Sequence, residues 1–223
     1  MDIEKILTVD LLPTLTDFLG DQIVFWECCI AAELMGTPIK NVLELGVYRF
    51  QGGEVSDFPG QSTKTLMILN EKYRFDRFIS LDIDDCSSTI ETCKKWVGKH
   101  GIVPKNHQFI QSNSIDLDID KYFPNGLDLV FLDSCHDDIY IQTIGYDASA
   151  CGAGMTYKEI CHYAPKLSPH GKMFCHDTFH HYVPKQYGFN TDGAIERFID
   201  ENPEYYFVEH GTNIHGLGEI GRK

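Results

Sequence analysis

The sequence predicts an α/β protein: a mostly parallel seven-stranded sheet, helices on both faces and a C-terminal antiparallel strand pair. Three observations carry this. Short apolar runs recur along the chain, among them NVLEL (41–45), FISL (78–81) and LDLVFL (127–132). Stretches with helical periodicity separate them. The runs are apolar at most positions rather than strictly alternating, as expected of strands covered on both faces. Such alternation of strand and helix implies parallel pairing with right-handed crossovers.

Taken in order, residues 1–37 read as helical. Ile3, Ile6, Leu7, Leu11 and Leu12 give a partial 3.6-residue pattern that Pro13 interrupts, and a second helix is expected over 22–35. Strand one is 41–45, followed by a helix over 63–72. Strand two is 78–81. Ser88-x-x-Glu91 has the spacing of a capping box and opens a helix to about Gly98. Strand three is 107–111 and strand four 127–132. Thr156-x-x-Glu159 has the same spacing and opens a helix ending near Lys166. Ser168-Pro169-His170-Gly171 reads as a turn, 172–175 as strand five and 192–201 as a helix. Runs at 205–209 and 217–220 complete the sheet. The division expected is an N-terminal helical cap over 1–38 and one ligand-binding domain over 39–223.

Composition narrows the function. The chain has 223 residues and a formal charge of −14, from 19 basic and 33 acidic residues. That balance argues against nucleic acid as partner, because phosphate-binding proteins present basic patches. No apolar run approaches the roughly 18–20 residues a membrane span needs. The start, MDIEKILTVD, lacks a basic segment ahead of an apolar run, so a cytoplasmic location is expected. The eight cysteines show no CxxC or zinc-ligand spacing and read as reduced thiols. Acids cluster in DIDD (82–85) and DLDID (116–120), where solvation competes with a cation role.

In such a sheet, ligands bind beyond the carboxyl ends of the strands. After strand one comes LELGVYRFQGGEVSDFPGQST (43–63). Its glycines, Gly46 and Gly60 among them, allow close backbone approach. Ser62 or Thr63 can cap a helix whose N-terminal amides attract negative groups. A plain strand-to-helix turn is the competing reading. After strand two, Asp82 is placed to accept hydrogen bonds from ribose hydroxyls, with Asp84 or Asp85 as alternatives. After strand three, Asn113 or Ser114 is placed to meet an adenine edge or to cap a turn. After strand four comes Asp133-Ser134-Cys135-His136, and after strand five His176-Asp177. If these two strands are neighbours, Asp133, His176 and Asp177 supply oxygen and nitrogen donors to one divalent cation, with His136 beside them as a base. Oxygen donors favour magnesium, and a histidine ligand tilts the choice towards manganese, iron or zinc.

Together VLELGVY…GQST, ISLDID, LVFLDSCHD, KLSPHGKMFCHDT and GLGEIGRK resemble the class I S-adenosylmethionine-dependent methyltransferases. The branch most similar is the small O-methyltransferases called methyltransferase family 24. The resemblance spans about residues 40–221 and implies a Rossmann-like fold. It implies that Glu44, Gly46 and Ser62 lie near the methionine part of S-adenosylmethionine, with Gly60 and Thr63 also binding the cofactor. Asp82 would then hold the ribose, Asn113 and Ser114 would lie near the adenine, and Asp133 would border the cofactor. It also implies a divalent metal, Mg2+ first, on Asp133, His176 and Asp177, with His136 and Asp133 catalytic. The chain departs from the family in two places: 49–59 lengthens the loop after strand one, and 139–155 lengthens the loop after strand four. Both are expected to shape the acceptor pocket.

The implied reaction is an in-line displacement on an activated methyl group, in which the protein positions the acceptor oxygen. A cation lowers the hydroxyl pKa, and a histidine takes the proton near neutral pH. The acceptor expected is a small molecule: a natural product, a sugar or a phenol. The N-terminal helices either cap the site or pack against a second subunit in a homo-oligomer. The other readings are an oxidoreductase or aminopropyl transferase on the same scaffold and a non-catalytic cofactor-binding module. The first wants G-x-G-x-x-G close after strand one, and that spacing is absent.

Overall fold

The computed structural model describes residues 22–36, 38–47, 61–134, 153–176, 178, 191–210 and 216–223. The elements run α1 (Gln22–Met35), β1 (Asn41–Leu45), α2 (Gln61–Tyr73), β2 (Arg77–Asp82), α3 (Ser87–Lys99), β3 (His107–Gln111) and the single turn α4 (Ile119–Tyr122). Then follow β4 (Leu127–Leu132), α5 (Ala153–Tyr163), β5 (Leu167–His176), α6 (Thr191–Glu201), β6 (Tyr205–His210) and β7 (Leu217–Arg222). The seven strands form one sheet in the order β3-β2-β1-β4-β5-β7-β6. The first five pair in parallel, and β7 pairs antiparallel with both β5 and β6.

Helices cover both faces, as the apolar strand runs require. On one face Val24, Cys28 and Ala31 of α1, Leu66 and Leu69 of α2, and Ile90, Cys93 and Val97 of α3 pack on Val42, Phe78, Phe131 and Phe174. On the other, Ile160 and Tyr163 of α5 and Ile195 and Phe198 of α6 pack on Leu43, Leu45, Ile79, Val130, Leu132 and Met173. The order reverses between β1 and β4: the chain winds outwards from β1 through β2 to β3, then returns to the other side of β1. That reversal opens a crevice at the strand ends.

Three local expectations give way. The stretch 168–171 lies inside β5 and is not a free turn. Leu127 pairs with Leu167 but Leu129 with Lys172, so β5 bulges opposite Asp128, and the Ser168 hydroxyl donates to Asp128 at 2.7 Å. A bulge is where a strand tolerates proline. At Gly171 a Cβ would meet the Leu127 carbonyl oxygen at 2.2 Å. Neither capping box forms: α3 begins at Ser87 with Cys86 at its cap and no side-chain cap bond, and α5 begins upstream of Thr156 at Ala153. The residues 153–155, expected within the loop extension, are the first turn of α5. Helix 22–35 stands as expected, whereas the helical pattern expected over 1–21 lies outside the described residues. The six described cysteines are free thiols. Among the described residues no helix is long and apolar enough to cross a membrane.

Candidate functional site

The site is built on the tips of β1, β2, β4 and β5. Gly46 follows β1 with φ +86, and its amide donates to the Leu81 carbonyl at 2.9 Å. A Cβ there would lie 2.2 Å from the Asp133 carbonyl oxygen, so only glycine fits between the β1 and β4 tips. Asp133 donates its own amide to the Leu45 carbonyl at 2.8 Å. Asp82 closes β2: its Oδ2 accepts from the Val47 amide at 2.8 Å and its Oδ1 from the Asp84 amide at 2.9 Å. The carboxylate thus fixes the chain leaving β1. Asp85 instead accepts from the Ser87 amide at 3.0 Å at the start of α3, and that bond with the Ser87 hydroxyl holds its carboxyl below the usual range.

Glu44 is fully buried. Thr63 donates to both its oxygens at 2.9 Å and Ser80 to Oε2 at 2.5 Å. Burial pushes its carboxyl up to about 7, against these hydroxyl bonds and with a smaller push from the Asp82 charge. Ser80 has one proton and gives it to Glu44, so His107 Nε2, 2.9 Å away, must donate to Ser80. Burial, helped by the Lys94 charge, lowers His107 to about 3, which keeps the ring neutral. The Ser62 hydroxyl, at the start of α2, is buried beside Glu44, and of the hydroxyls there it opposes the upward push on that carboxyl most. The Thr178 hydroxyl, just beyond β5, is buried and lacks a hydrogen-bond partner among the described residues.

Beyond β3, Asn113 accepts from the Ile115 amide at 3.2 Å and caps a short 3-10 turn, Ser114–Asp116. Ser114 donates to Glu159 at 2.5 Å, and Ser134, the residue after Asp133, donates to the other Glu159 oxygen at 2.7 Å. Glu159 therefore ties the loops after β3 and β4 together from α5. Burial raises its carboxyl, and the two hydroxyls oppose the shift. Tyr163 adds a hydrogen bond to the Ser114 carbonyl.

At the β5 tip, His176 Nδ1 lies 2.5 Å from Oε2 of Glu27 on α1, and both side chains are buried. Leu132 pairs with Cys175, so Asp133 and His176 stand one step beyond neighbouring positions and on one face. Cys28 follows Glu27 in sequence. Its thiol is held well above the ordinary range by burial first, then by Cys29 and by the carboxylates of Glu44, Glu27 and Asp133. Those three carboxylates therefore lie within electrostatic reach of Cys28.

The described residues thus bring together Glu44, Gly46, Ser62, Thr63 and Asp82 at the β1–β2 tips, Asn113 and Ser114 beyond β3, and Asp133 with His176 at the β4–β5 tips. Gly60, His136 and Asp177 lie outside the described residues, as do the extension 49–59 and the first part of 139–155. Sequence reasoning missed Glu27 and Glu159. Glu27 had a readable signal: it is a lone acid in IVFWECCIAA at the helical spacing of Val24, Cys28 and Ala31, all core residues. Glu159 carried none beyond a spacing that suggested a cap.

Two implied groups can be tested against this arrangement. A nucleoside with a charged amino-acid tail suits the β1–β3 tips: a glycine no side chain can replace, an acid at the end of β2 and a buried hydroxyl at a helix start. A divalent cation suits the β4–β5 tips in donor chemistry, with one carboxylate and one imidazole on adjacent strands. Among the described residues no group of three or more such donors gathers.

No family model matches the chain. No curated protein sequence matches it either. Solved structures do. A Streptococcus mutans protein assigned as a methyltransferase, in complex with S-adenosylhomocysteine, superposes with TM-score 0.53 at 13% identity, over 87% of this chain and 96% of that one. The TDP-rhamnose 3'-O-methyltransferase of calicheamicin biosynthesis gives TM-score 0.59 at 14% identity over 97% of this chain and 86% of that one. An rRNA methylase of Streptococcus thermophilus gives 0.52 at 11%, over 86% and 94%. At such identities the likeness is one of fold: the chain has the Rossmann-like fold that these methyltransferases share.

Proposed function

We propose that this protein is an S-adenosylmethionine-dependent methyltransferase that O-methylates a hydroxyl of a small molecule, assisted by a divalent cation, Mg2+ first, and by His136 as base. The observation that carries the reading is the row of strand tips. In one crevice it places a glycine-only turn, an acid at the β2 tip, a buried hydroxyl at the start of α2, and an acid beside a histidine. The fold shared with methyltransferases supports it, one neighbour being a sugar O-methyltransferase. Nucleic acid, the substrate class of the rRNA methylase neighbour, is disfavoured by the charge of −14.

The cofactor supplies an activated methyl group on a sulfonium. In this reading Asp82 holds the ribose hydroxyls, and the Ser62 hydroxyl with the α2 amides faces the amino-acid end. Ser114 and Asn113 shape the adenine side through the loop that Glu159 braces. Asp133, His176 and Asp177 would hold the cation, which would acidify and orient the acceptor hydroxyl. His136 accepts the hydroxyl proton as the oxygen–methyl bond forms and the sulfur–methyl bond breaks. Positioning of the acceptor in line with that bond supplies much of the acceleration.

Calorimetric titration with S-adenosylhomocysteine, with and without Mg2+, tests the reading. Micromolar binding is the expected result, and its absence in both conditions would remove the cofactor assignment. His136→Ala is expected to lower turnover about 100-fold or more, the usual contribution of a general base, with cofactor affinity unchanged.

A further inference from the structure

We propose that the Asn113 carboxamide reads the base of the cofactor, by donating from Nδ2 to a ring nitrogen of the adenine; this rests on the cofactor in the proposed function. Three polar side chains follow β3, and their protons are committed within the protein at all but one of them. The Ser112 hydroxyl donates to the Asn113 carbonyl at 3.2 Å, and the Ser114 hydroxyl donates to Glu159 at 2.5 Å. A hydroxyl has one proton, so neither can also donate to a ligand. Asn113 Oδ1 accepts from the Ile115 amide at 3.2 Å. That bond turns the oxygen of the carboxamide towards the 3-10 turn and leaves the NH2 on the other side. Among the described residues Nδ2 makes no hydrogen bond.

The placement fits this use. Asn113 is half-buried, within reach of a ligand and held by the turn it caps. Gln111 pairs with Asp82, and the Ser112 amide donates to the Asp82 carbonyl at 2.9 Å. The loop is thus fixed beside the acid assigned to the ribose. Gln111 Nε2 also donates to the carbonyl of Ile83, whose side chain is 40% exposed and offers apolar surface at the same tip. The rim of adenine carries N1, N3 and N7 as acceptors and the N6 amine as a donor. An uncommitted NH2 complements the acceptors. Of the two residues expected near the adenine, Ser114 therefore serves the brace to Glu159 and Asn113 serves the base.

A cap with no part in base recognition would show the same bond to Ile115, so the test separates the two. Asn113→Asp keeps an oxygen for the Ile115 amide and replaces the NH2 with an acceptor. Its affinity for S-adenosylhomocysteine, measured on the full chain by titration calorimetry, is expected to fall about 10-fold or more with Tm unchanged. Analogues of S-adenosylhomocysteine with carbon in place of N1, N3 or N7 identify the partner atom. One of them is expected to bind wild type about 10-fold more weakly than S-adenosylhomocysteine, and Asn113→Asp is expected to lose that preference. Unchanged or tighter binding of S-adenosylhomocysteine by Asn113→Asp overturns the proposal. So does an equal loss for S-adenosylhomocysteine and all three analogues, which marks a general effect of the added charge. Should Asn113→Asp fail to fold, Asn113→Ser, which also caps but lacks the NH2, is read by the same criteria. Wild type that binds S-adenosylhomocysteine and all three analogues equally removes this proposal alone. Wild type that binds none of them removes the cofactor and this proposal together.

Discussion

The two faces of the sheet are built on opposite rules. Beneath α5 and α6 the strands present Leu43, Leu45, Ile79, Val130, Leu132 and Met173, an apolar layer. Beneath α1–α3 the same strands present Glu44, Ser80, Lys172 and His176 among Val42, Phe78, Phe131 and Phe174. Side chains alternate along a strand, so a single run such as NVLEL serves both faces at once. The difference teaches where this fold keeps its polar groups. Those carried by the strands sit on one face, towards the crevice, and most are satisfied by one another; on the other face the buried acid is Glu159, which α5 brings to the loops beyond β3 and β4. The apolar strand layer supplies stability that pH does not touch, whereas the polar groups carry charge whose state can change.

Leu45→Ala tests the apolar face and should have the largest effect. Removing a fully buried leucine costs about 2–5 kcal/mol, and urea unfolding should show that loss equally at pH 5 and pH 8. Glu44→Gln tests the polar face and should behave in the opposite way. The Glu44 carboxyl is raised from 4.5 to about 7, so between those values the native state holds a proton that the unfolded state has lost. Stability from this group is full below about 4.5 and lost as pH rises through 7, a fall of about 3 kcal/mol at 1.36 kcal/mol per unit. The wild-type curve minus the Glu44→Gln curve should show that fall; parallel curves would mean that Glu44 titrates normally. Ser80→Ala should be smallest, about 1–2 kcal/mol from a lost hydroxyl bond and an unsatisfied His107 Nε2–H. It should also move the Glu44 transition upward, since a bond that favours the charged form is gone.

The sheet was legible because its signal is repeated: apolar runs at regular intervals leave few other architectures, and the strand tips follow from them. What failed to read was set by partners distant in sequence. Ser168-Pro169-His170-Gly171 has the composition of a turn, yet Asp128, 40 residues away, receives Ser168 and turns the stretch into a bulge. Thr156-x-x-Glu159 has the spacing of a cap, but Glu159 goes to Ser114 and Ser134, groups no local pattern can name. At the site, Asp82 and Gly46 were readable because each ends a strand. Glu27 stood out as a lone acid among core positions, but its role did not, because that depends on His176, 149 residues later.

The position of β7 bears on how the chain assembles. It lies between β5 and β6, so β6 touches the parallel sheet only through a strand made after it. During synthesis from the N-terminus, β5 presents an open edge of unpaired backbone groups until residues 217–222 emerge, while β6 waits without a partner. An open edge invites pairing with another chain. The interval between these strands is thus the period of greatest exposure to misassembly, and Gly218 and Gly221, against which Phe207 and Tyr206 press, let the late strand slide in where a larger side chain would jam.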